Sequence, residues 1–411
     1  MRIAQLAPPF ESVPPTCYGG TERVVATLTE ELVRRGHDVT LFASGDSRTS
    51  ARLHPVVDQA LWHHRAGYKD FAPFWAIALG KLSREIEQFD IVHSHLDFFG
   101  FPLARAHRAP VVTTLHGRLD LPELIPLHQE FTDMPLVSIS NAQREPIPNA
   151  NWVATVYHGI DLNDHTFNPE PGEYLAFLGR ISPEKGLDTA IRIALRAGVP
   201  MKIAAREPLP FTDDPNVRAD WEYYDTKVKP LLKEPGVEMV GPVGGKDRDD
   251  FLRNAAALLF PICWPEPFGL VMPEALLSGT PVLAFRQGSV PEILVDGLTG
   301  FIRDTEDELV AAVDRIGELD RARCRAEAER RFSPAVMAQA YERVYAEIIH
   351  QRSGIARQRP ATKATAGGKH PLIRHPHQIA ALPFRRSVKH TETLLLPDDP
   401  LPEAADTVGT N

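Results

Sequence analysis

Short apolar runs alternate with helix-length stretches along almost the whole chain, and that alternation limits the folds open to it. The runs at 2–7, 38–43, 90–94, 111–116, 136–140 and 152–157 are rich in Val, Ile and Leu without strict period-two alternation. Strands buried on both faces read this way, because helices cover both sides of their sheet. The stretches 21–35 and 77–88 carry amphipathic spacing, and the first stops at Gly36 behind two arginines. A repeated strand-helix order predicts a parallel sheet. After a polar break at 163–173 a second series begins, with strands expected at 174–178, 201–205, 237–240, 256–262 and 282–285. The chain therefore reads as α/β, with two similar parallel-sheet halves. Its 411 residues and 43% apolar content suffice for two cores.

Beyond the second series, Ala335, Ala338, Tyr341, Val344, Tyr345 and Ile348 recur at three-four spacing and predict a last helix over 334–350. Residues 352–411 hold seven prolines, nine basic and five acidic residues and no sustained period, and are expected to be a disordered tail. A peripheral membrane or partner contact by this tail is left open. The net charge is −9, and the basic tail leaves the rest more acidic still. An acidic body argues against a nucleic-acid partner. No apolar run approaches the ~18 residues of a membrane span. The first residues are too short and Pro-broken a run for a signal peptide. Cys17, Cys263 and Cys324 are odd in number, far apart and without a CxxC spacing. That pattern points to a reducing, cytoplasmic compartment and no structural zinc. Cys263 is expected to be an inert core thiol.

Several segments carry chemistry. Glu266 and Glu274 flank Phe268, Gly269 and Leu270 between an apolar run and a helix-like run closed by Gly279. This places a carboxylate and a glycine loop at the carboxyl end of a strand, where open α/β sheets bind ligands. The loop offers amides to an anion, and the two acids accept hydrogen bonds from hydroxyls. Such a ligand carries both phosphate and sugar. Arg180 and Lys185 follow the first strand of the second half and are close enough to converge on one diphosphate. Gly19 and Gly20 precede the first helix, where paired glycines let the backbone approach an anion. The dinucleotide fingerprint G-x-G-x-x-G is absent there, which disfavours an NAD enzyme. His116 ends a first-half strand before Gly117, while His93 and His95 share one face of a neighbouring strand. A metal at these histidines is not expected. Ser138 to Asn141 reads as a helix N-cap. The aromatic residues Trp62, His63, His64, Tyr68, Phe71, Phe74 and Trp75 read as core, or as a stacking surface for an acceptor sugar if they line the cleft.

The ordered set Glu266-Pro267-Phe268-Gly269, Pro273-Glu274-Ala275, Gly279-Thr280-Pro281, Gly288 to Glu292 and Asp296-Gly297 through Phe301 resembles the donor site of the retaining glycosyltransferases of family 4. The resemblance is dense over 256–304 and thinner over the rest of 1–351. It implies a GT-B fold, with two Rossmann-like domains facing a cleft: an acceptor domain over 1–165 and a nucleotide-sugar domain over 170–333. It also implies that the helix 334–351 returns to the first domain. Glu266 would hold sugar hydroxyls with the amides of Phe268, Gly269 and Leu270. Glu274 would hold the ribose, and Arg180 and Lys185 the diphosphate. His116 would contact the donor sugar near the reacting carbon, and Gly19 and Gly20 would face the donor phosphate or the acceptor. The implied activity is transfer of a hexose, with retention, from a nucleotide-diphosphate sugar to an acceptor hydroxyl on a small molecule, glycan or lipid. It needs no metal and no cofactor beyond the sugar nucleotide. A phosphorylase, a sugar-nucleotide epimerase and a non-catalytic nucleotide-sugar-binding protein are the other readings of the same fold.

Overall fold

The computed structural model describes residues 1–16, 19–63, 68, 70–107, 109–209 and 215–358. Cys17, His64 and the tail from residue 359 lie outside them. The first half runs β1 (Arg2–Leu6), α1 (Gly20–Arg34), β2 (Asp38–Ser44), β3 (Arg52–Val57), α2 (Ala72–Glu85), β4 (Ile91–Ser94), α3 (Phe101–Ala106), β5 (Val111–Thr114), α4 (Leu124–Glu130), β6 (Leu136–Ser138) and β7 (Trp152–Thr155). These strands form one parallel sheet in the order β3-β2-β1-β4-β5-β6-β7.

The second half runs β8 (Leu175–Leu178), α5 (Leu187–Ala197), β9 (Met201–Ala204), α6 (Pro215–Tyr223), β10 (Val237–Met239), α7 (Gly245–Arg253), β11 (Ala257–Phe260), α8 (Val271–Leu277), β12 (Val282–Phe285), α9 (Val290–Ile293), β13 (Gly300–Arg303), α10 (Glu306–Val313) and α11 (Arg321–Phe332). Its parallel sheet has the order β10-β9-β8-β11-β12-β13. Both orders reverse direction beside their first strand, at β1/β4 and at β8/β11. A crevice opens at such a switch point beyond the carboxyl ends of the strands.

Two strands escape the sequence reading. β3 contains Pro55 and sits at the edge of its sheet, where a missing N–H is tolerated. β13 starts at Gly300 within a run of turn residues, and only pairing with β12 makes it a strand. α10 opens with a capping box in which Thr305 and Glu308 satisfy each other's backbone amides.

The last helix, α12 (Pro334–Gln358), is longer than its apolar spacing predicts. It packs on the first sheet rather than the second. Met337, Ala338, Tyr341, Val344, Tyr345 and Ile348 share a core with Ile3, Leu28, Ile91, Val112 and Val137. Burial of each large apolar side chain stabilises by about 1.5–3 kcal/mol, so one face of α12 holds it there. Among the described residues no helix is long and apolar enough to cross a membrane.

Candidate active site

The loops after β8 and β11 meet at one ion pair. Lys185 closes a 3-10 turn, Pro183–Lys185, and its ammonium contacts the carboxylate of Glu266. Trp264 Nε1 donates to the same carboxylate at 2.9 Å. The two loops are also tied by the Cys263 amide, which donates to the Glu184 carbonyl at 3.0 Å. Behind Glu266, its carbonyl accepts from the Ser289 amide at 3.0 Å, and the Ser289 hydroxyl donates to Phe268 O at 2.9 Å. Gly288 has φ 50, and a Cβ there would lie 2.5 Å from the Glu266 carbonyl oxygen. Only glycine fits against Glu266 at that position.

Trp264 is flanked by two cations. Lys185 Nζ and Arg118 Cζ each lie 5.4 Å from its ring centroid. Such contacts use the negative face of the ring. Arg118 follows β5 in the first half, so both halves contribute charge to one place. Arg180 lies nearby but is otherwise engaged. Its guanidinium pairs with Glu184 and lies 3.5 Å from Asp220. Cys263 is exposed rather than in the core, because β11 ends at Phe260 and the chain turns outward sooner than the apolar run suggests.

On the first sheet, His116 lies just past β5 and is half-buried. His116 Nε2 is 2.9 Å from His95 Nδ1. The ring stacks on His158 at 5.3 Å, and His158 meets the edge of Phe268 at 4.7 Å. A line of rings thus joins β5 to the loop before α8. Burial holds His93, His95 and His158 well below the usual imidazole range and lowers His116 to about 3. All four are neutral near pH 7. Beside them burial pushes Asp97 up to about 6, against a hydrogen bond from the His116 backbone. Asp97 also adopts φ 47, a left-handed conformation rarely held by a non-glycine residue.

Gly19 has φ 156, and a Cβ there would lie 2.8 Å from Pro15 Cβ. A Cβ on Gly20 would lie 3.3 Å from Leu270 Cδ1, so the start of α1 touches the residue just before α8. In the first turn of α1, burial pushes Glu22 up to about 7. Sequence reasoning passed over Arg118, gave Glu22 no role of its own, and took Asp97 only as a carboxylate behind His95. Their only sequence signal was adjacency to the glycine pair and to the histidines.

Glu274 is separated from this group. It is 3% exposed and accepts from Arg23 of α1 at 2.7 Å and from Arg248 of α7 at 3.3 Å. It lines a cavity of about 690 Å³ with Arg23, Arg248, Leu270, Asp164 and His165, whereas Lys185 and Glu266 do not line that cavity. The structure thus brings Lys185 to Glu266, places Arg180 beside them on other partners, and gives Glu274 to two arginines.

Within the segment 138–141 read as an N-cap, Ser140 supplies the cap, its hydroxyl accepting from the Gln143 amide at 3.0 Å. Asn141 instead donates to Glu292 of α9 at 3.0 Å and so ties the two halves together. The aromatic group gains Phe10, whose ring lies 5.7 Å from Trp62 and 5.2 Å from Trp75. Trp75 in turn stacks on Phe99 at 4.7 Å.

Comparison with known proteins matches both halves. Residues 18–164 match Glycosyltransferase Family 4, and residues 162–331 match Glycosyl transferases group 1. An uncharacterized 42.6 kDa protein in cps region of Klebsiella pneumoniae is 32% identical over 343 residues, spanning 68% of this chain and 84% of that protein. Glycogen synthase of Mycobacterium tuberculosis is 25% identical over 339 residues, spanning 70% of this chain and 79% of the relative. Among solved structures, HepE of Anabaena in complex with UDP-glucose superposes with a TM-score of 0.62 at 20% identity, over 84% of this chain and all of the other. Matches that run through both halves, joined to two parallel sheets that share their order over six strands, make this chain a GT4-like glycosyltransferase with the GT-B fold.

Proposed function

We propose that the chain transfers a hexose from a nucleotide-diphosphate sugar to an acceptor hydroxyl, with retention of configuration. The carrying observation is the Lys185–Glu266 pair beside Trp264, with cations contributed from both halves. Arrival of the donor exchanges partners. The diphosphate takes Lys185, and the freed Glu266 carboxylate accepts from sugar hydroxyls. Arg180 leaves Glu184 and Asp220 to join Lys185 on the diphosphate. Together these cations stabilise the charge that grows on the departing nucleotide. The amides of Phe268, Gly269 and Leu270 line the same loop. Gly19 and Gly20 bring the first half close to the phosphate, and His116 reaches the sugar. Glu274 holds the ribose once Arg23 and Arg248 let it go. Positioning and charge supply the rate, and no metal is required of the chain's own residues.

A chain of this fold has been solved with UDP-glucose, so UDP-glucose is the first donor to try. A thermal-shift screen of sugar nucleotides selects the donor, and transfer to sugar, lipid and small-molecule acceptors follows. Glu266→Ala and Lys185→Ala are each expected to lower kcat by about 10²–10³-fold, as loss of one preorganised charge does, with Tm nearly unchanged. Near wild-type transfer by both variants defeats the reading.

A further inference from the structure

Six buried groups form an unbroken hydrogen-bond chain from α12 to His116. Tyr341 Oη lies 2.9 Å from Thr114 Oγ1, and Thr114 Oγ1 lies 2.7 Å from His93 Nε2. His93 Nδ1 lies 2.7 Å from Tyr345 Oη. Gln5 Nε2 donates to Tyr345 Oη at 3.2 Å, and Gln5 Oε1 lies 2.8 Å from His95 Nε2. His95 Nδ1 then meets His116 Nε2 at 2.9 Å. Every member is buried except His116, which alone reaches the surface.

Burial leaves little choice in where the protons sit. A neutral imidazole has one N–H and one lone pair. The Gln5 amide spends its NH2 on Tyr345 and so turns its oxygen, which can only accept, to His95. His95 therefore carries its proton on Nε2 and presents a lone pair at Nδ1. His116 must supply the proton for that contact, from its own Nε2. In the other direction the Tyr345 hydroxyl donates to His93 Nδ1, and His93 Nε2–H donates to Thr114. Rotating the Gln5 amide would reverse every bond and put the proton on His116 Nδ1 instead.

We propose that Gln5, His95 and Tyr345 are positioning residues that hold His116 as the Nε2–H tautomer. The bare Nδ1 is then a hydrogen-bond acceptor for a hydroxyl of the transferred sugar. The tautomer stands on the geometry alone, while its use on a sugar rests on the glycosyl-transfer reading. Tyr345 lies on α12, the helix that follows the second half, so an element beyond both sheets sets the state of a group on the first sheet.

The test is a long-range ¹H–¹⁵N correlation on full-length protein labelled with ¹⁵N-histidine, with the His116 signals assigned by their loss in His116→Gln. Wild type is expected to show His116 protonated at Nε2 and bare at Nδ1. Tyr345→Phe keeps the ring but removes the hydroxyl, so the Gln5 amide loses its acceptor. His116 is then expected to show both tautomers, and kcat to fall about fivefold with KM within about twofold. Gln5→Met breaks the chain on the other side of Tyr345 and is expected to do the same. A merely structural role would lower Tm and leave the tautomer alone. A wild-type proton on Nδ1, or an unchanged tautomer in whichever variant folds, overturns the proposal. Failure to find any donor would sink the transfer reading and leave the tautomer result standing.

Discussion

Glu266 is held by its backbone as much as by its side chain. Gly288 supports it from behind in a conformation that suits glycine alone. Gly288→Ala is therefore expected to cost about 1–3 kcal/mol of stability in urea denaturation. It should also lower kcat at least tenfold, because a displacement near 1 Å can cost about a hundredfold. A variant with both quantities unchanged would show that Glu266 does not depend on this support. At this scale much was legible. The segment from Glu266 through Phe268, Gly269 and Leu270 to Glu274 has a spacing that suggests a phosphate and sugar ligand, and Lys185 stands in a separate motif 81 residues before Glu266. Arg23 and Arg248 were not legible as partners of Glu274. Nothing local marks a pairing across 251 residues of sequence for Arg23, or across 26 for Arg248.

Helices α1 and α8 meet at their first turns, through Gly20 against Leu270 and Arg23 against Glu274. The ion pair joins the halves and occupies the acid proposed for the ribose. If the ribose is held there as proposed, donor binding breaks it. Arg23→Ala is expected to tighten donor binding several-fold by calorimetry, since a part-exposed pair of this kind is worth roughly 1 kcal/mol. Weaker binding would instead place Arg23 among the donor's contacts. The long helix α12 was foreseeable from its apolar spacing, whereas β3 and β13 were not. An edge strand with a proline and a strand led by glycine have weak local signals, and pairing with a neighbour decides them.

At the scale of the whole molecule, six imidazoles among the described residues are kept neutral by burial, and this sets the response to acid. His93, His95, His116, His128, His158 and His165 are all held below the usual imidazole value by burial. Below about pH 6.5 the unfolded chain takes up protons that the folded chain refuses, so stability falls as pH falls. Glu22, Asp97 and Asp164 are raised and act in the opposite sense, since the folded state binds their protons more readily. The histidines outnumber them. Stability is therefore expected to drop by at least about 1.4 kcal/mol per pH unit between pH 6 and 5, the slope of one net proton. Urea denaturation at the two pH values measures it, and an equal or greater stability at pH 5 would contradict the buried histidine chain.

Sequence alone determined the alternation that makes two parallel sheets, the apolar face of α12 and the separate glycine-flanked motifs that carry Lys185 and Glu266. Each of these is a local pattern, read within one segment of the chain. Only the tertiary structure decided which charges pair, that Glu274 faces Arg23 and Arg248, and that α12 reaches His116 through Tyr345 and Gln5. Arg23 and Glu274 lie 251 residues apart and Gln5 and Tyr345 340, and packing of whole elements, rather than any local pattern, brings them within hydrogen-bond distance.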